Sequence, residues 1–247
     1  MSKDFTARPI DPSDGIPPSR GRRALDIVAA LTGLLLLSVP MLLIYALVRL
    51  TSRGRGIFKQ TRVGQGGRPF TMYKFRTMRQ GVGGMKVTAT SDPRVTPLGR
   101  FLRRYYLDEL PQLVNVLRGD MTLVGARPET YDLAVYYDAR WRWIFDHRPG
   151  ITGLSQVSFR YAEILPPGQE VDLAFYVEHL APAQSAADAV YLSNPSMRVT
   201  LRVLLRTVRY ILGFKVPQLP VSGTGNVAEL TSPSDAAHRA KEPGSAA

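Results

Sequence analysis

The chain has 247 residues, of which 45% are hydrophobic and 21% charged, so it has enough apolar material for a folded core and is not disordered throughout. It has no cysteine and three histidines, which excludes a disulfide scaffold, a thiolate metal site and a cysteine nucleophile. Its 32 lysines and arginines outnumber its 20 acidic residues and give a formal net charge of +12. This excess indicates an anionic partner: nucleic acid, acidic lipid headgroups or a phosphorylated substrate.

Composition divides the chain into four parts. Residues 1–19 are rich in proline, serine and aspartate, and residues 216–247 are rich in proline, glycine, serine and alanine, so both ends are predicted to be disordered tails. Residues 20–56 contain a membrane segment, and residues 57–215 are predicted to form one folded domain.

The membrane segment is residues 27–48, an uncharged apolar stretch long enough to cross a bilayer. Basic residues flank both of its ends, and basic flanks tend to stay cytoplasmic. Pro40 removes a backbone donor near the middle, and the Ser38 hydroxyl is placed to satisfy a freed carbonyl. Two interpretations follow: a helix that enters, breaks at Ser38 and Pro40 and returns to the same face, or a single-pass anchor with a proline kink.

The folded domain is predicted to be mostly helical with a short β-hairpin. Strands are predicted at residues 57–58 and 70–75 around a turn at 64–69, a flexible loop at 81–92, helices at 97–106, 111–117 and 130–145, and a short apolar link at 122–124. A last helix is predicted at residues 196–212, with Arg198, Arg202, Arg206 and Arg209 on one face. Such a helix lies on an anionic membrane surface or packs on a core with a solvated face, and the nearby membrane segment favours the membrane surface.

The chemistry-bearing candidates lie in residues 92–119, where Asp108 and Glu109 are surrounded by arginines. Arginine binds phosphate oxygens through two parallel hydrogen bonds, and a carboxylate in that field is a candidate nucleophile or magnesium ligand. This combination suits phosphoryl transfer. The alternative is structural, because Asp108 also lies where it would cap the helix that follows Pro111.

Three smaller clusters surround this one in sequence. Pro128 restricts Arg127 to an extended conformation within the stretch VGARPET. In YKFR, at residues 73–76, Lys74 and Arg76 would share one face of a strand. Residues 148–156 (RPGITGLSQ) indicate a shaped loop.

Taken in order, these stretches closely resemble the bacterial sugar transferase family, the monotopic polyprenyl-phosphate phosphoglycosyl transferases. The matching motifs are RRALDIVAA at 22–30, FKQTRVGQGGRPFTMYKFRTM at 58–78, DPRVTPLGRFLRR at 92–104, LDELPQLVNVLRGDMTLVGARPE at 107–129 and RPGITGLSQV at 148–157. The resemblance departs from the family pattern at Ala126, usually proline, and at Tyr106, usually serine. It also shows extra residues at 179–195.

The resemblance implies transfer of a sugar-1-phosphate from a UDP-sugar to undecaprenyl (polyprenyl) phosphate, the first membrane step of exopolysaccharide or surface-glycan synthesis. It implies Asp108 as the nucleophile of a covalent phosphosugar intermediate, with Glu109 assisting and both carboxylates holding Mg²⁺. The residues implied to bind substrate phosphate or nucleotide are Arg103, Arg127, Pro128, Glu129, Lys74 and Arg76.

The resulting expectation is an α/β, mostly helical protein with an N-terminal re-entrant membrane helix hairpin and a cytoplasmic catalytic domain that carries amphipathic interfacial helices and a short β-hairpin. We expect it at the bacterial inner (cytoplasmic) membrane, in contact with membrane lipids, with a homodimer left open. The competing hypothesis is a non-catalytic membrane-anchored scaffold that binds polyprenyl phosphate or acidic lipid. Nucleic acid is not an expected partner, because no helix-turn-helix, zinc or RNA-recognition signature is present.

Overall fold

The computed structural model describes residues 9–79, 92, 94–158 and 173–214, and the fold is described for these residues. Residues 1–8, nearly all of the predicted loop at 81–92 and the predicted C-terminal tail at 216–247 lie outside them. The helices are α1 (Arg20–Leu36), α2 (Ser38–Thr51), α3 (Pro97–Arg104), α4 (Gln112–Arg118), α5 (Tyr131–Ala134), α6 (Leu154–Ser158), α7 (Leu173–Phe175), α8 (Ala181–Leu192) and α9 (Met197–Ile211). The strands are β1 (Ile57–Val63), β2 (Pro69–Phe75), β3 (Thr122–Val124) and β4 (Gly150–Thr152). Short 3-10 turns lie at Gln65–Gly67, Leu107–Glu109 and Ala139–Asp146, and a π turn at Tyr176–Leu180 joins α7 to α8.

The described chain is therefore mostly helical with a short β-hairpin, as predicted, and it has a second small sheet that was not predicted. β1 and β2 form the antiparallel hairpin, paired from Ile57 with Phe75 to Val63 with Pro69. β3 and β4 form a two-stranded parallel sheet. The Asn115 carboxamide on α4 ties the hairpin to the rest, because it accepts from Tyr73 N at 3.2 Å and donates to Thr71 O at 2.7 Å.

The main core lies between α1, α4, β3, α8 and α9. Its fully buried side chains include Ala30, Val116, Val124, Ala187 and Val203. Almost every residue of α8 is buried, and its alanines allow close packing against its neighbours. The residues that resembled an insertion at 179–195 are thus a central helix of the core.

The predicted single helix at 130–145 is wrong. The structure has α5, which ends at Ala134, followed by a separate 3-10 helix from Ala139. Asp138 caps this second helix by accepting from Arg140 N at 2.9 Å, and Arg142 Nη2 donates to the Val135 carbonyl at 3.1 Å. These bonds satisfy the backbone at the break, so two short turns replace one helix.

The described part of the N-terminal tail also differs from the prediction of disorder. The Ser13 hydroxyl donates to Asp146 Oδ1 at 2.5 Å, Ser13 N donates to Gly66 O at 3.0 Å, and Ile16 N donates to Asp146 O at 2.6 Å. Ile10 packs against a second apolar cluster of the domain. The structure thus places residues 9–18 against the domain.

The α1–α2 pair is bent by 63° at the predicted break. The Ser38 hydroxyl donates to the Leu35 carbonyl at 2.8 Å, and Pro40 follows in the first turn of α2. No described helix is by itself long and apolar enough to cross a membrane, whereas α1 and α2 together have the required length and composition. Exposed apolar side chains concentrate on this pair: Val28, Leu31, Leu35, Leu36, Val39, Leu42, Leu43, Leu47 and Leu50.

Candidate active site

A cavity of about 930 Å³ lies between the β1–β2 hairpin and the β3–β4 half of the domain. One wall, as defined here, carries the predicted basic residues of the hairpin and α3, and the second wall comprises the lining residues of the turn after β3, of α6 and of α9. Its lining includes seven of the predicted site residues: Lys74, Arg76, Arg103, Asp108, Glu109, Arg127 and Glu129. Pro128 lies beside a small adjoining pocket that shares Glu109 and Arg127.

A sharp reversal after α3 presents Asp108 to the cavity. Tyr106 has φ of 56°, the left-handed conformation that non-glycine residues seldom adopt, and the 3-10 turn Leu107–Glu109 follows at once. The alternative role of Asp108 as a helix cap is wrong, because Pro111 is the N-terminal cap residue of α4 and no side chain caps that helix.

Asp108 is 7% exposed, and the pKa of its carboxyl is raised to about 6. Burial is the main cause, and the neighbouring charge of Glu109 adds to it. The positive charges of Lys74 and Arg103 act in the opposite direction. Within the described residues no other side chain donates a hydrogen bond to Asp108. The result is a carboxylate that is ionised at neutral pH but poorly stabilised by the protein.

Glu109 is held by a cation from the hairpin. Lys74 Nζ donates to Glu109 Oε1 at 2.6 Å, and both side chains are about four-fifths buried. This pair crosses from β2 to the 3-10 turn, so it fixes the distance between the hairpin and the segment that carries Asp108.

The remaining basic residues of this wall are fixed by the chain around them. Arg103 Nε donates to Thr77 Oγ1 at 2.8 Å, and burial lowers the pKa of its guanidinium, with Asp108 opposing that effect. Arg76 is 5% exposed, and its Nη2 donates to both the carbonyl and the hydroxyl of Ser52 at 2.7 Å. Arg76 thereby joins the end of α2 to the cavity wall.

The second wall includes the turn from β3 to α5. Arg127 lines the cavity, and its backbone N–H donates to Asp188 Oδ2 at 3.1 Å. The Pro128 carbonyl accepts from Arg62 Nη1 at 3.0 Å. Glu129 is 3% exposed, and its carboxylate accepts from Thr130 N, Tyr137 and Tyr176 and lies 3.5 Å from Arg62. Glu129 therefore faces the cavity with its oxygens already engaged by the protein.

Sequence reasoning missed two residues that line the cavity, Arg62 and Ser155, and one that lies behind the lining, Asp188. Arg62 lies on β1 within the motif at 58–78, and Ser155 lies in the loop predicted to be shaped, so both had a local signal that was not used for the site. Asp188 had none, because it lies among alanines in α8 and reaches Arg127 and Ser155 only through the tertiary fold.

The described residues fit a magnesium ion held mainly by substrate. No cluster of three or more His, Cys, Asp or Glu side chains among them could hold a metal. Mg²⁺ is usually bound through one or two carboxylates together with substrate phosphates and water. The adjacent carboxylates Asp108 and Glu109, next to a large basic cavity, suit that mode and not an all-protein cage.

Comparison with known proteins gives a family model and relatives that agree with one another. The family model described as bacterial sugar transferase matches residues 18–213. The chain is 42% identical over 214 residues to a UDP-glucose:undecaprenyl-phosphate glucose-1-phosphate transferase of Caulobacter vibrioides. The match covers 84% of this chain and 76% of the relative. It is 37% identical over 196 residues to a UDP-N-acetylgalactosamine-undecaprenyl-phosphate N-acetylgalactosaminephosphotransferase of Aeromonas hydrophila, covering 77% of this chain and 43% of that longer protein.

A third relative has a size closer to that of this chain. The exopolysaccharide production protein PSS of Rhizobium leguminosarum is 36% identical over 196 residues, which cover 76% of this chain and 92% of the relative. The family match at residues 18–213 spans every described residue that lines the cavity. The chain is accordingly a phosphoglycosyl transferase and belongs to the bacterial sugar transferase family.

Proposed function

We propose that the protein transfers a sugar-1-phosphate from a UDP-sugar to undecaprenyl phosphate in two steps, at the start of exopolysaccharide or surface-glycan synthesis. In the first step an Asp108 oxygen attacks the phosphorus that carries the sugar, and the bond to UMP breaks. In the second step a phosphate oxygen of undecaprenyl phosphate attacks the same phosphorus and releases the Asp108 carboxylate. The products are undecaprenyl-diphosphate-sugar and UMP.

The observation that carries this proposal is the buried, cavity-facing carboxylate of Asp108 between Arg103 and the Lys74–Glu109 pair. Its raised pKa makes it more basic than an ordinary aspartate, and a more basic oxygen is a stronger nucleophile. At pH 7.5 it is still mostly ionised, because its pKa is about 6. Covalent catalysis needs both properties at once.

The arginines supply the charge that two phosphate substrates require. Arg103 and Arg127 both line the cavity, so each is available to the phosphates of a diphosphate bound there. Asp108 and Glu109 would hold Mg²⁺, which supplies charge neutralisation for the phosphates when bound. Lys74 keeps Glu109 in place beside Asp108.

The α1–α2 pair supports a re-entrant membrane hairpin. Residues 9–18, before α1, bind the domain through Gly66 and Asp146, and β1 begins the domain shortly after α2. Both ends of the pair are thus attached to the same body, while the two helices between them expose apolar side chains. A hairpin dipping into the cytoplasmic leaflet of the inner membrane would bring the cavity to a lipid-borne acceptor.

Mass spectrometry of the intact, detergent-purified protein tests the chemistry. The named relatives differ in their sugar, so the protein is incubated with Mg²⁺ and a panel that includes UDP-glucose, UDP-galactose and UDP-N-acetylgalactosamine. We expect a mass gain equal to one sugar phosphate, absent in Asp108→Asn. Turnover with acceptor but no adduct would indicate direct transfer, and neither adduct nor turnover would favour the non-catalytic scaffold.

Cysteine labelling tests the hairpin. The chain has no native cysteine, so Asp14→Cys and Arg53→Cys each introduce one thiol at an exposed position on either side of the α1–α2 pair. In inverted inner-membrane vesicles, whose cytoplasmic face is outward, a membrane-impermeant maleimide should label both. Labelling of only one of them would establish a crossing helix and overturn the re-entrant proposal.

A further inference from the structure

Asp188 is a buried carboxylate that joins two turns of the cavity wall from behind. It is 4% exposed and does not itself line the cavity. Its Oδ2 accepts from Arg127 N at 3.1 Å and from the Ser155 hydroxyl at 2.9 Å, and its Oδ1 accepts from Ser155 N at 3.1 Å. Three donors from two separate segments therefore converge on one side chain of α8.

The two turns also approach each other closely. Gly153 precedes the Ser155 turn, and a Cβ added to it would lie 2.2 Å from the Gly125 carbonyl and 3.2 Å from Asp188 Oδ1. Gly125 lies two residues before Arg127. The glycines let the two turns approach each other, and Asp188 then fixes them by hydrogen bonds.

A charged carboxylate in this place is costly unless its oxygens are satisfied. Burial raises the pKa of Asp188 to about 6, and its bonds to Arg127 and Ser155 act against that rise. An apolar side chain at this position of the alanine-rich helix α8 would avoid the desolvation cost of a buried charge. The acceptor role toward the two turns gives the reason for an acid here.

We propose that Asp188 is the positioning residue of the donor-nucleotide side of the cavity, holding Arg127 and Ser155 in the geometry that binds the UMP part of the UDP-sugar. The proposal rests on the proposed function, and it assigns Asp188 to one substrate. Undecaprenyl phosphate, which enters after UMP has left, would not depend on it to the same extent.

The replacement Asp188→Asn tests this with little change of shape. An amide has one acceptor, so in either orientation its NH₂ group faces a backbone N–H, that of Ser155 or that of Arg127. We expect the KM for the UDP-sugar and the dissociation constant of UMP to rise by about tenfold, since an unsatisfied buried donor is costly. Asp188→Ala leaves all three donors unpaired and should raise both further, while the KM for undecaprenyl phosphate changes less than twofold in the Asn variant.

Asp26→Asn is the matched control. Asp26 is 2% exposed and likewise accepts from a hydroxyl and a backbone N–H, those of Thr122 and Leu123, but it lies away from the cavity. This change should lower the melting temperature and leave UMP binding as in the wild type. If both Asn variants weaken UMP binding equally, the effect is general loss of packing and the proposal is wrong.

A double-mutant cycle separates positioning from an independent effect. Arg127→Ala should itself weaken UMP binding, and adding Asp188→Asn to it should have little further effect, because the side chain being positioned is already absent. Independent, multiplying effects would overturn the proposal. A folded Asp188→Asn protein with wild-type UMP affinity would overturn it as well.

Hydrogen exchange distinguishes this proposal from the proposed function. If the wild type shows no UMP binding and no transfer, the proposed function fails, and the amides of Arg127 and Ser155 still report on Asp188. In Asp188→Asn we expect faster exchange at one or both of these amides. Where Asp188→Ala does not fold, Ser155→Ala, which removes one of the three bonds, should raise the UMP dissociation constant by a smaller factor; unchanged exchange and unchanged binding in all folded variants would refute the positioning role.

Discussion

The two walls of the cavity each depend on a buried aspartate, and the surroundings of the two acids differ. Asp108 lies on the turn after α3 beside a like charge and two cations, with no side-chain hydrogen bond from another described residue. Asp188 lies on α8, behind the wall, with three donors from Arg127 and Ser155. Burial raises the pKa of each to about 6. A perturbed pKa alone therefore does not identify a nucleophile.

What separates the two acids is where their hydrogen-bonding capacity goes. The oxygens of Asp188 accept hydrogen bonds within the protein, and these bonds hold the backbone of Arg127 and Ser155 in place. The oxygens of Asp108 face the cavity between Arg103 and Lys74, so their capacity remains for a ligand. The distinction between a positioning acid and a reacting acid is thus made by the neighbouring donors.

The largest effect is expected at Asp108. Asp108→Asn should reduce turnover by about 10⁴-fold or more, because removal of a covalent nucleophile removes the reaction path itself. The measurement is release of UMP with wild-type and variant protein at saturating donor and acceptor. Asp26→Asn, also a buried acid, should retain turnover, and a variant Asp108→Asn with more than a tenth of wild-type activity would contradict the assignment.

The charges around Asp108 should move the pH profile in opposite directions. The acidic limb of kcat/KM is expected near pH 6, because activity requires the ionised carboxylate. Glu109→Gln removes a charge that raises this pKa, so the limb should move to lower pH, whereas Lys74→Gln removes one that lowers it, so the limb should move to higher pH. Turnover should fall by about 10- to 100-fold in each. Limbs that coincide in both variants and the wild type would show that another group titrates.

Asp108 should also destabilise the fold at neutral pH. Its folded-state pKa lies above its ordinary value of 3.8, so the folded state binds more protons between pH 4 and 6, and its stability falls as pH rises through that range. Asp108→Asn removes the buried charge and should raise the free energy of unfolding at pH 7.5 by about 1–2 kcal/mol. Thermal unfolding should show a higher Tm at pH 7.5 and a smaller difference near pH 4.5. An equal difference at both values would contradict the linkage.

The smallest effect concerns the turn that presents Asp108. Tyr106 adopts the left-handed conformation, so glycine should be preferred over alanine here, the reverse of the order in a helix. We expect Tyr106→Gly to be more stable than Tyr106→Ala by about 1 kcal/mol. Because both variants lose the same contact of the Tyr106 ring with Tyr210, urea unfolding of the pair isolates the backbone term. Equal stability would show that the backbone relaxes when the ring is removed.

Features encoded by neighbouring residues were predicted from the sequence. The hairpin turn, the helix ending near Leu212 and the break at Ser38 and Pro40 all depend on spacing within a few positions, and the structure confirms them. Asp108 and Glu109 could be recognised as candidate site residues for the same reason, because they are adjacent in the sequence. The arginines around Asp108 in the sequence indicated a basic site, and Arg103 and Asp108 both line the cavity.

Features that depend on contacts between residues far apart in the sequence were not predicted. Asp188 reaches Arg127 across 61 positions, and nothing in the alanine-rich sequence of α8 marks it. The predicted helix at 130–145 was wrong for a related reason. Arg142 donates to the Val135 carbonyl, so this carbonyl has a hydrogen-bond partner even though the helix ends there. Local propensity cannot register bonds whose partners the fold supplies.

The contacts of residues 9–18 have a consequence for how the protein is made. Ser13 and Ile16 bind the region of Asp146, which is synthesised 133 residues after Ser13. During synthesis the apolar helices α1 and α2 are therefore complete well before their ends can be fixed to the domain. The groups found at the bend, the Ser38 hydroxyl on the Leu35 carbonyl and Pro40 with no N–H, belong to the pair itself and are present at that stage. The pair thus carries its own bend-forming residues before the catalytic domain is synthesised, and the contacts of residues 9–18 can form only after Asp146 has been added.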